Sequence, residues 1–230
     1  MKKIGLVAGL GPESTTIYYK GIIDAFKNNG GGLNYPEIIL YSANMGELIT
    51  MFEYGRQGGL ADWLLEKVEA LKHAGAEFAA IASNTPHVVF DEVQERSPLP
   101  LISILEETCR KTKALGFKKP GLLGTGFTMR ADFYQKVFSR EGFPLAVPDE
   151  ADIDLIHKRL FTEIELGIIK DSTRQELIDI IGRMVERYGI DSIILGCTEL
   201  PLILDKGEYG VPVLNTTQIH VDAIVRECRG

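Results

Sequence analysis

Three cysteines, four histidines and one tryptophan are few for 230 residues, and each scarcity excludes a class of protein. Cys109, Cys197 and Cys228 are an odd set without metal-ligand spacing and without a histidine cluster beside them, so neither a disulfide framework nor a zinc site is indicated. A reduced, cytoplasmic protein fits this usage. No lysine- or arginine-rich run occurs and the net charge is −7, which leaves no footprint for nucleic acid or an anionic membrane surface. Apolar runs reach no more than about six residues, far short of the roughly 20 that span a bilayer. The opening Met1-Lys2-Lys3-Ile4-Gly5-Leu6-Val7-Ala8-Gly9 resembles a signal peptide only superficially. Its apolar run stops at a glycine turn and Glu13 follows, so it reads as a buried first strand. A small-molecule partner is the expectation.

What is present is ordinary globular composition, 45% hydrophobic and 25% charged, enough for one large or two small cores. Short apolar runs alternate with amphipathic segments, the pattern of βα units on parallel sheets. Strands are predicted at Ile4 to Ala8, Ile38 to Tyr41, Phe78 to Ala82, Gly121 to Leu123 and Ser192 to Leu195, with a further one around Val211 to Leu214. Helical spacing of Leu177, Ile180, Ile181, Met184, Val185 and Tyr188 predicts a helix opened by a Ser172/Gln175 capping box and stopped at Gly189. Leu60, Leu64, Val68 and Leu71 predict another before Gly75, Cys109 falls in a helix over Leu105 to Leu115, and a last helix runs from Thr217 to Arg226.

The chain also repeats itself in spacing. Gly9 and Gly124 lie 115 residues apart and Ser83 and Cys197 lie 114 apart, each at a strand end followed by small or hydroxylated residues. Equal offsets predict two similar α/β domains, each a parallel β-sheet flanked by helices, related by an approximate two-fold axis with the active site between them. The Ser97-Pro98-Leu99-Pro100 break and the terminal strand and helix assign residues 1–98 plus 213–230 to the first and 99–212 to the second.

In such folds ligands bind beyond the carboxyl ends of strands. Four strand ends carry polar motifs: Gly9-Leu10-Gly11-Pro12-Glu13-Ser14-Thr15, Ser83-Asn84-Thr85-Pro86-His87, Gly124-Thr125-Gly126-Phe127-Thr128 and Gly196-Cys197-Thr198-Glu199. The first has Ser14 where a dinucleotide fingerprint needs its third glycine, and phosphate-loop, zinc-protease and esterase motifs are missing, so no cofactor and no metal is called for. Cys197 at a strand end beside free N–H groups is expected to have a stabilised thiolate; the alternative is a small buried hydrophobe. Ser83, Asn84 and Thr85 serve equally well as a turn before a helix that Pro86 starts. His87 and His220 read as packing residues before ligands.

At these motifs the sequence resembles the aspartate/glutamate racemase family over almost its whole length. The carriers are Ile4 to Thr15, Ser83 to His87, Leu122-Leu123-Gly124-Thr125, Thr128, Gly196-Cys197-Thr198-Glu199-Leu200 and Asn215-Thr216. The resemblance implies a cofactor-independent amino-acid racemase, an isomerase acting on aspartate or glutamate, commonly a homodimer. One thiol would act on either face of the substrate's Cα. Here Cys197 matches one catalytic position and Ser83 stands at the other, where typical members have cysteine. By matching position, Asn84, Thr85, Thr125, Thr128 and Thr198 would bind substrate carboxylates or the amino group, and Glu199 would hold the ammonium. In Glu163-Ile164-Glu165-Leu166-Gly167, Leu166 replaces a lysine of several aspartate-selective relatives, which leaves Arg56 or Arg130 for an acidic side chain. Two other classes fit the single cysteine: a decarboxylase or cis-trans isomerase of small dicarboxylates, and a relative that binds an amino acid without turning it over.

Overall fold

The computed structural model describes residues 1–27, 32–53, 57–204 and 209–230. It divides into two units, Met1–Glu107 with Thr217–Gly230, and Thr108–Thr216. Each contains a wholly parallel sheet.

The first unit runs β1 (Ile4–Ala8), α1 (Pro12–Lys27), β2 (Ile38–Ser42), α2 (Met45–Glu53), α3 (Leu60–His73), β3 (Phe78–Ile81), α4 (Phe90–Arg96), β4 (Leu101–Ile102) and the start of α5 (Ile104–Ala114). Its sheet order is β2-β1-β3-β4. Ile4, Leu6, Phe78 and Ala80 pack on one face with Tyr18, Ile22, Val221 and Ile224, whereas Val7, Ala79 and Ile81 pack on the other with Leu60, Leu64, Val68 and Leu71. Both faces are covered, which is why β1 and β3 read as continuous apolar runs instead of alternating ones.

The second unit continues with β5 (Pro120–Leu123), α6 (Gly126–Arg130), α7 (Phe133–Arg140), α8 (Glu150–Thr162), α9 (Asp171–Tyr188), β6 (Ser192–Leu195) and β7 (Val213–Asn215). The order is β5-β6-β7. Leu123, Ile193 and Leu195 meet Ile153, Ile156 and Leu160 of α8 and Leu177, Ile180, Ile181 and Met184 of α9 in one core. The terminal helix α10 (Thr216–Arg229) puts Val221, Ile224 and Val225 into the core of the first unit.

The domain limits differ from those the prolines suggested. The short β4 after Pro100 pairs with β3, so the first unit runs on to Glu107 and the division falls inside α5. Residues 213–215 form β7 and pair with β6, which places them in the second unit. The capping box also fails. Helix α9 begins at Asp171, after Lys170 and with no side-chain cap, so Ser172 already lies inside the first turn and cannot stand at the cap position. Gly189 does supply the left-handed stop, at φ 62°.

His87 and His220 form a buried pair in the first unit. The carbonyl of Ser83 accepts from His87 Nδ1 at 2.8 Å, which leaves Nε2 to accept from the Ile104 amide at 3.3 Å. His220 Nε2 donates to the Ile102 carbonyl at 3.0 Å and its Nδ1 accepts from the Tyr18 hydroxyl at 2.9 Å. Each carbonyl requires an N–H, and the Ile104 amide, which only donates, requires a bare Nε2, so His87 is a neutral tautomer; burial favours the neutral ring at His220 as well. Burial lowers the pKa of His87 to about 3, with the nearby His220 adding to the shift, and burial lowers that of His220 to about 4. A depressed histidine pKa contributes stability that is present above the unfolded value near 6.5 and lost as pH falls towards the folded value, by about 1.4 kcal/mol per pH unit for each ring. Ring-proton NMR signals of both should therefore stay at their neutral positions from about pH 8 to about pH 5, and a midpoint above about 6 for either would contradict the assignment.

Candidate active site

The second unit builds its site where β5 and β6 end side by side, Leu123 beside Leu195. A glycine follows each. At Gly196 a Cβ would meet Leu122 Cδ1 at 2.6 Å and the Leu123 carbonyl oxygen at 2.9 Å, and the Gly196 amide donates to that oxygen at 2.6 Å. The backbone thus turns hard against β5, and the next residue, Cys197, is delivered to the carboxyl end of the sheet. Its carbonyl accepts from the Leu200 amide at 3.1 Å, closing the turn before a one-turn helix at Leu200–Leu202.

Cys197, Thr198 and Glu199 are all buried. The Cys197 Sγ lies 3.5 Å from Glu199 Oε2 and 3.5 Å from Oε1 of Glu165. The Thr198 hydroxyl donates to Glu199 Oε2 at 2.7 Å. Glu165 Oε2 is buried and has no hydrogen-bond partner among the described residues. The thiol and both carboxylates have donor atoms within 4.8 Å of one another, a grouping compact enough to surround a shared cation.

Glu165 is held there by its neighbours in sequence. Glu163 accepts from Arg159 at 2.8 Å, from Lys170 at 3.1 Å and from the Thr173 hydroxyl at 2.5 Å, and the last two bonds keep its carboxyl below the ordinary range. A single helical turn, Ile164–Leu166, then carries Glu165 towards Cys197 before Gly167 reverses the chain at φ 71°.

This environment overturns the expected stabilised thiolate. Burial first, then the charges of Glu165 and Glu199, raise the Cys197 thiol well above its ordinary value. Glu165 is pushed up to about 8 by burial and by Glu199. The Tyr134 hydroxyl is also raised, by burial and by Cys197. Free backbone N–H groups at a strand end do not offset the removal of water and two adjacent carboxylates.

Thr125 caps α6, accepting from the Thr128 amide at 3.1 Å, and the two hydroxyls share a hydrogen bond of 3.0 Å. Arg130 is engaged by Glu150 and Asp154 at 2.8 and 2.6 Å, so its charge is balanced by carboxylates of α8. Arg56 lies outside the described residues.

In the first unit β1 and β3 also end together, Val7 beside Ile81. Gly9 has φ 79°, and a Cβ there would lie 2.6 Å from the Ala43 carbonyl oxygen. The Thr15 hydroxyl accepts from the Gly9 amide at 2.9 Å and donates to the Gly11 carbonyl at 2.8 Å, so this turn caps itself. Beyond β3, Ser83 and Asn84 are buried and Thr85 half-buried, opening a short helix at Thr85–Val89 with Pro86 in its first turn. The bond from His87 to the Ser83 carbonyl fixes this corner. Reading the sequence missed Glu165 and Tyr134. The segment around Glu165 drew notice only for what stands at Leu166.

A model of the Asp/Glu/Hydantoin racemase family matches residues 7–224. The broad specificity amino-acid racemase RacX of Bacillus subtilis (strain 168) is 27% identical over 227 residues, covering 93% of this chain and 92% of that protein. An aspartate racemase homologue from Pyrococcus horikoshii OT3 has a crystal structure that superposes with a TM-score of 0.86 at 36% identity, covering 100% of both chains. The Picrophilus torridus aspartate racemase shares the fold at 20% identity, with a TM-score of 0.81 over 100% of this chain and 95% of that one.

Two glycine substitutions test how the site is built. Gly196→Ala should destabilise the protein by about 1–3 kcal/mol, because the added methyl group meets β5. Gly182→Ala, in the middle of α9 with open space around it, should instead stabilise by up to about 1 kcal/mol. Denaturant unfolding reads both, and a neutral Gly196→Ala would contradict the close approach.

Proposed function

The chain belongs to the Asp/Glu/Hydantoin racemase family and is an isomerase of the amino-acid racemase class, and from that premise we propose that it inverts Cα by two-base proton transfer between Cys197 and Ser83. The observation that carries the reading is the buried Cys197 thiol at the end of β6, in contact with two carboxylates able to exchange protons with it. One group removes the α-proton and the other, on the opposite face, supplies a new one.

The remaining polar side chains receive the substrate. Glu199, with Glu165 beside it, takes the ammonium group, the cation that this carboxylate grouping is spaced to surround. Asn84, Thr85, Thr125, Thr128 and Thr198 offer hydroxyl and amide donors for the α-carboxylate, where negative charge builds as the proton leaves. The reaction needs no cofactor. Aspartate or glutamate is the substrate that the family resemblance favours, although Arg130 is already held by two carboxylates. Cytoplasmic location and a homodimer complete the reading.

Ser83 sets the rate. An alcohol is a much weaker acid than a thiol, so its proton is harder to move in either direction. The enantiomers have equal free energy in water, and the kcat/KM values of the two directions must therefore be equal. Serine slows both alike.

Incubation of both enantiomers of each amino acid in heavy water, followed by mass spectrometry, should show deuterium at Cα for at least one pair. Cys197→Ala should lower exchange by about 10²-fold or more and Ser83→Cys should raise it. Retention of every α-proton would refute the proposal. Loss of carboxylate from a malonate, or formation of fumarate from maleate, would favour the dicarboxylate chemistry instead. A ligand that raises Tm without any exchange would mark a binding protein.

A further inference from the structure

Ser83 is buried, and its backbone is pinned on both sides. Its amide donates to the Ile81 carbonyl at 2.9 Å and its carbonyl accepts from His87 Nδ1 at 2.8 Å. With both peptide groups held, the direction of the side chain rests on χ1 alone. The His87 ring is itself fixed from three sides. It stacks on Phe90 with centroids 4.9 Å apart and planes within 9°, it meets the edge of His220 at 6.4 Å, and its Nε2 accepts from the Ile104 amide at 3.3 Å.

The partners of these two rings lie where the chain leaves and re-enters the first unit. Ile104 opens α5, the helix in which the division between the units falls, and its amide is one of those that a helix start leaves without an intrahelical acceptor. His220 stands near the start of α10, on which the chain returns, and bonds the Ile102 carbonyl at 3.0 Å and the Tyr18 hydroxyl at 2.9 Å. The corner that carries Ser83 is thereby braced against both crossing segments and against α1. Hydrogen bonds make that brace directional, which apolar packing alone does not.

We infer that His87 is a positioning residue for the proposed reaction: its Nδ1–H, acting through the Ser83 carbonyl, holds the Ser83 hydroxyl where it exchanges a proton with Cα, so that proton removal by Cys197 ends in inversion. This rests on the racemase reading of the same site. His87 touches no reacting atom, and its two nitrogens have separate roles, Nδ1 setting the serine and Nε2 capping α5. Without the Nδ1 donor the Ser83 peptide group is free to turn and the hydroxyl moves with it, and a displacement of about 1 Å is enough to cost about 10²-fold in rate. The α-carbanion then recovers a proton from the Cys197 thiol, the group that removed the first one. That return regenerates the starting enantiomer and the thiolate, with no change of oxidation state and no leaving group.

The test is turnover of each enantiomer in heavy water by the wild type, His87→Gln and His87→Asn, with label read separately in recovered substrate and in product and folding checked by Tm. Glutamine brings its carbonyl oxygen to the Nε2 position and has no donor at Nδ1, whereas asparagine brings an amide donor to Nδ1 and has nothing at Nε2. Inversion should fall about 10²-fold in His87→Gln and stay within about fivefold of wild type in His87→Asn. In His87→Gln, deuterium should also appear in the recovered substrate for one enantiomer only, the one whose α-proton faces Cys197. A merely structural histidine predicts that both isotopic outputs shrink together, in step with Tm and with their ratio unchanged. That unchanged ratio in folded His87→Gln, or a loss of inversion beyond about tenfold in folded His87→Asn, would overturn the role while wild-type inversion leaves the racemase reading standing. If His87→Gln does not fold, the asparagine variant settles the question by the same tenfold limit. A wild type that exchanges no α-proton would refute the racemase reading and this role with it.

Discussion

Three acidic groups crowd together, Cys197 and Glu199 buried and Glu165 half-buried, and most of what the second unit can do follows from that arrangement. Cys197, Glu165 and Glu199 cannot all carry charge together without a large electrostatic cost. Protons are therefore retained on the thiol and on Glu165 at pH values where isolated groups would approach or complete ionisation. A cation resolves the conflict. Every amino acid brings one as its ammonium group, and in the proposed reaction substrate binding and activation of the thiol are parts of one electrostatic event.

The scaffold delivers this cluster by short-range means. Gly196 allows the chain leaving β6 to pass within contact distance of β5, and the bound Glu163 fixes a single turn that presents Glu165. In the first unit, His87 has a comparable role. As a neutral imidazole it ties the Ser83 carbonyl on one side and the Ile104 amide on the other, so the corner that carries Ser83 is set by a buried side chain. Acid that protonates this histidine would turn its Nε2 from an acceptor into a donor facing the Ile104 amide.

Much of this was legible in the sequence because strands buried on both faces leave an unmistakable apolar signature, and because glycines at the ends of β5 and β6 repeat a pattern seen at the end of β1. The domain limits were less legible. A two-residue strand such as β4 has no periodicity to detect, and pairing across a sheet, not the nearest proline, decides which unit owns a segment. Glu165 was hidden for a related reason. Its partner is 32 residues away in sequence, and local pattern gives no sign that Glu165 and not Glu163 turns towards the thiol. The electrostatic error at Cys197 has the same origin: a strand end predicts nearby N–H groups, but only tertiary packing reveals the two carboxylates.

The central claim is that two different groups handle the α-proton, a thiol on one face and an alcohol on the other. It is tested most directly by early time points of a single enantiomer turning over in heavy water, with the isotopic content of substrate and product measured separately. Two-base transfer through Cys197 and Ser83 predicts deuterium in the newly formed enantiomer while the recovered starting enantiomer remains unlabelled. Deuterium accumulating in the starting enantiomer, with none of its mirror image formed, would contradict it.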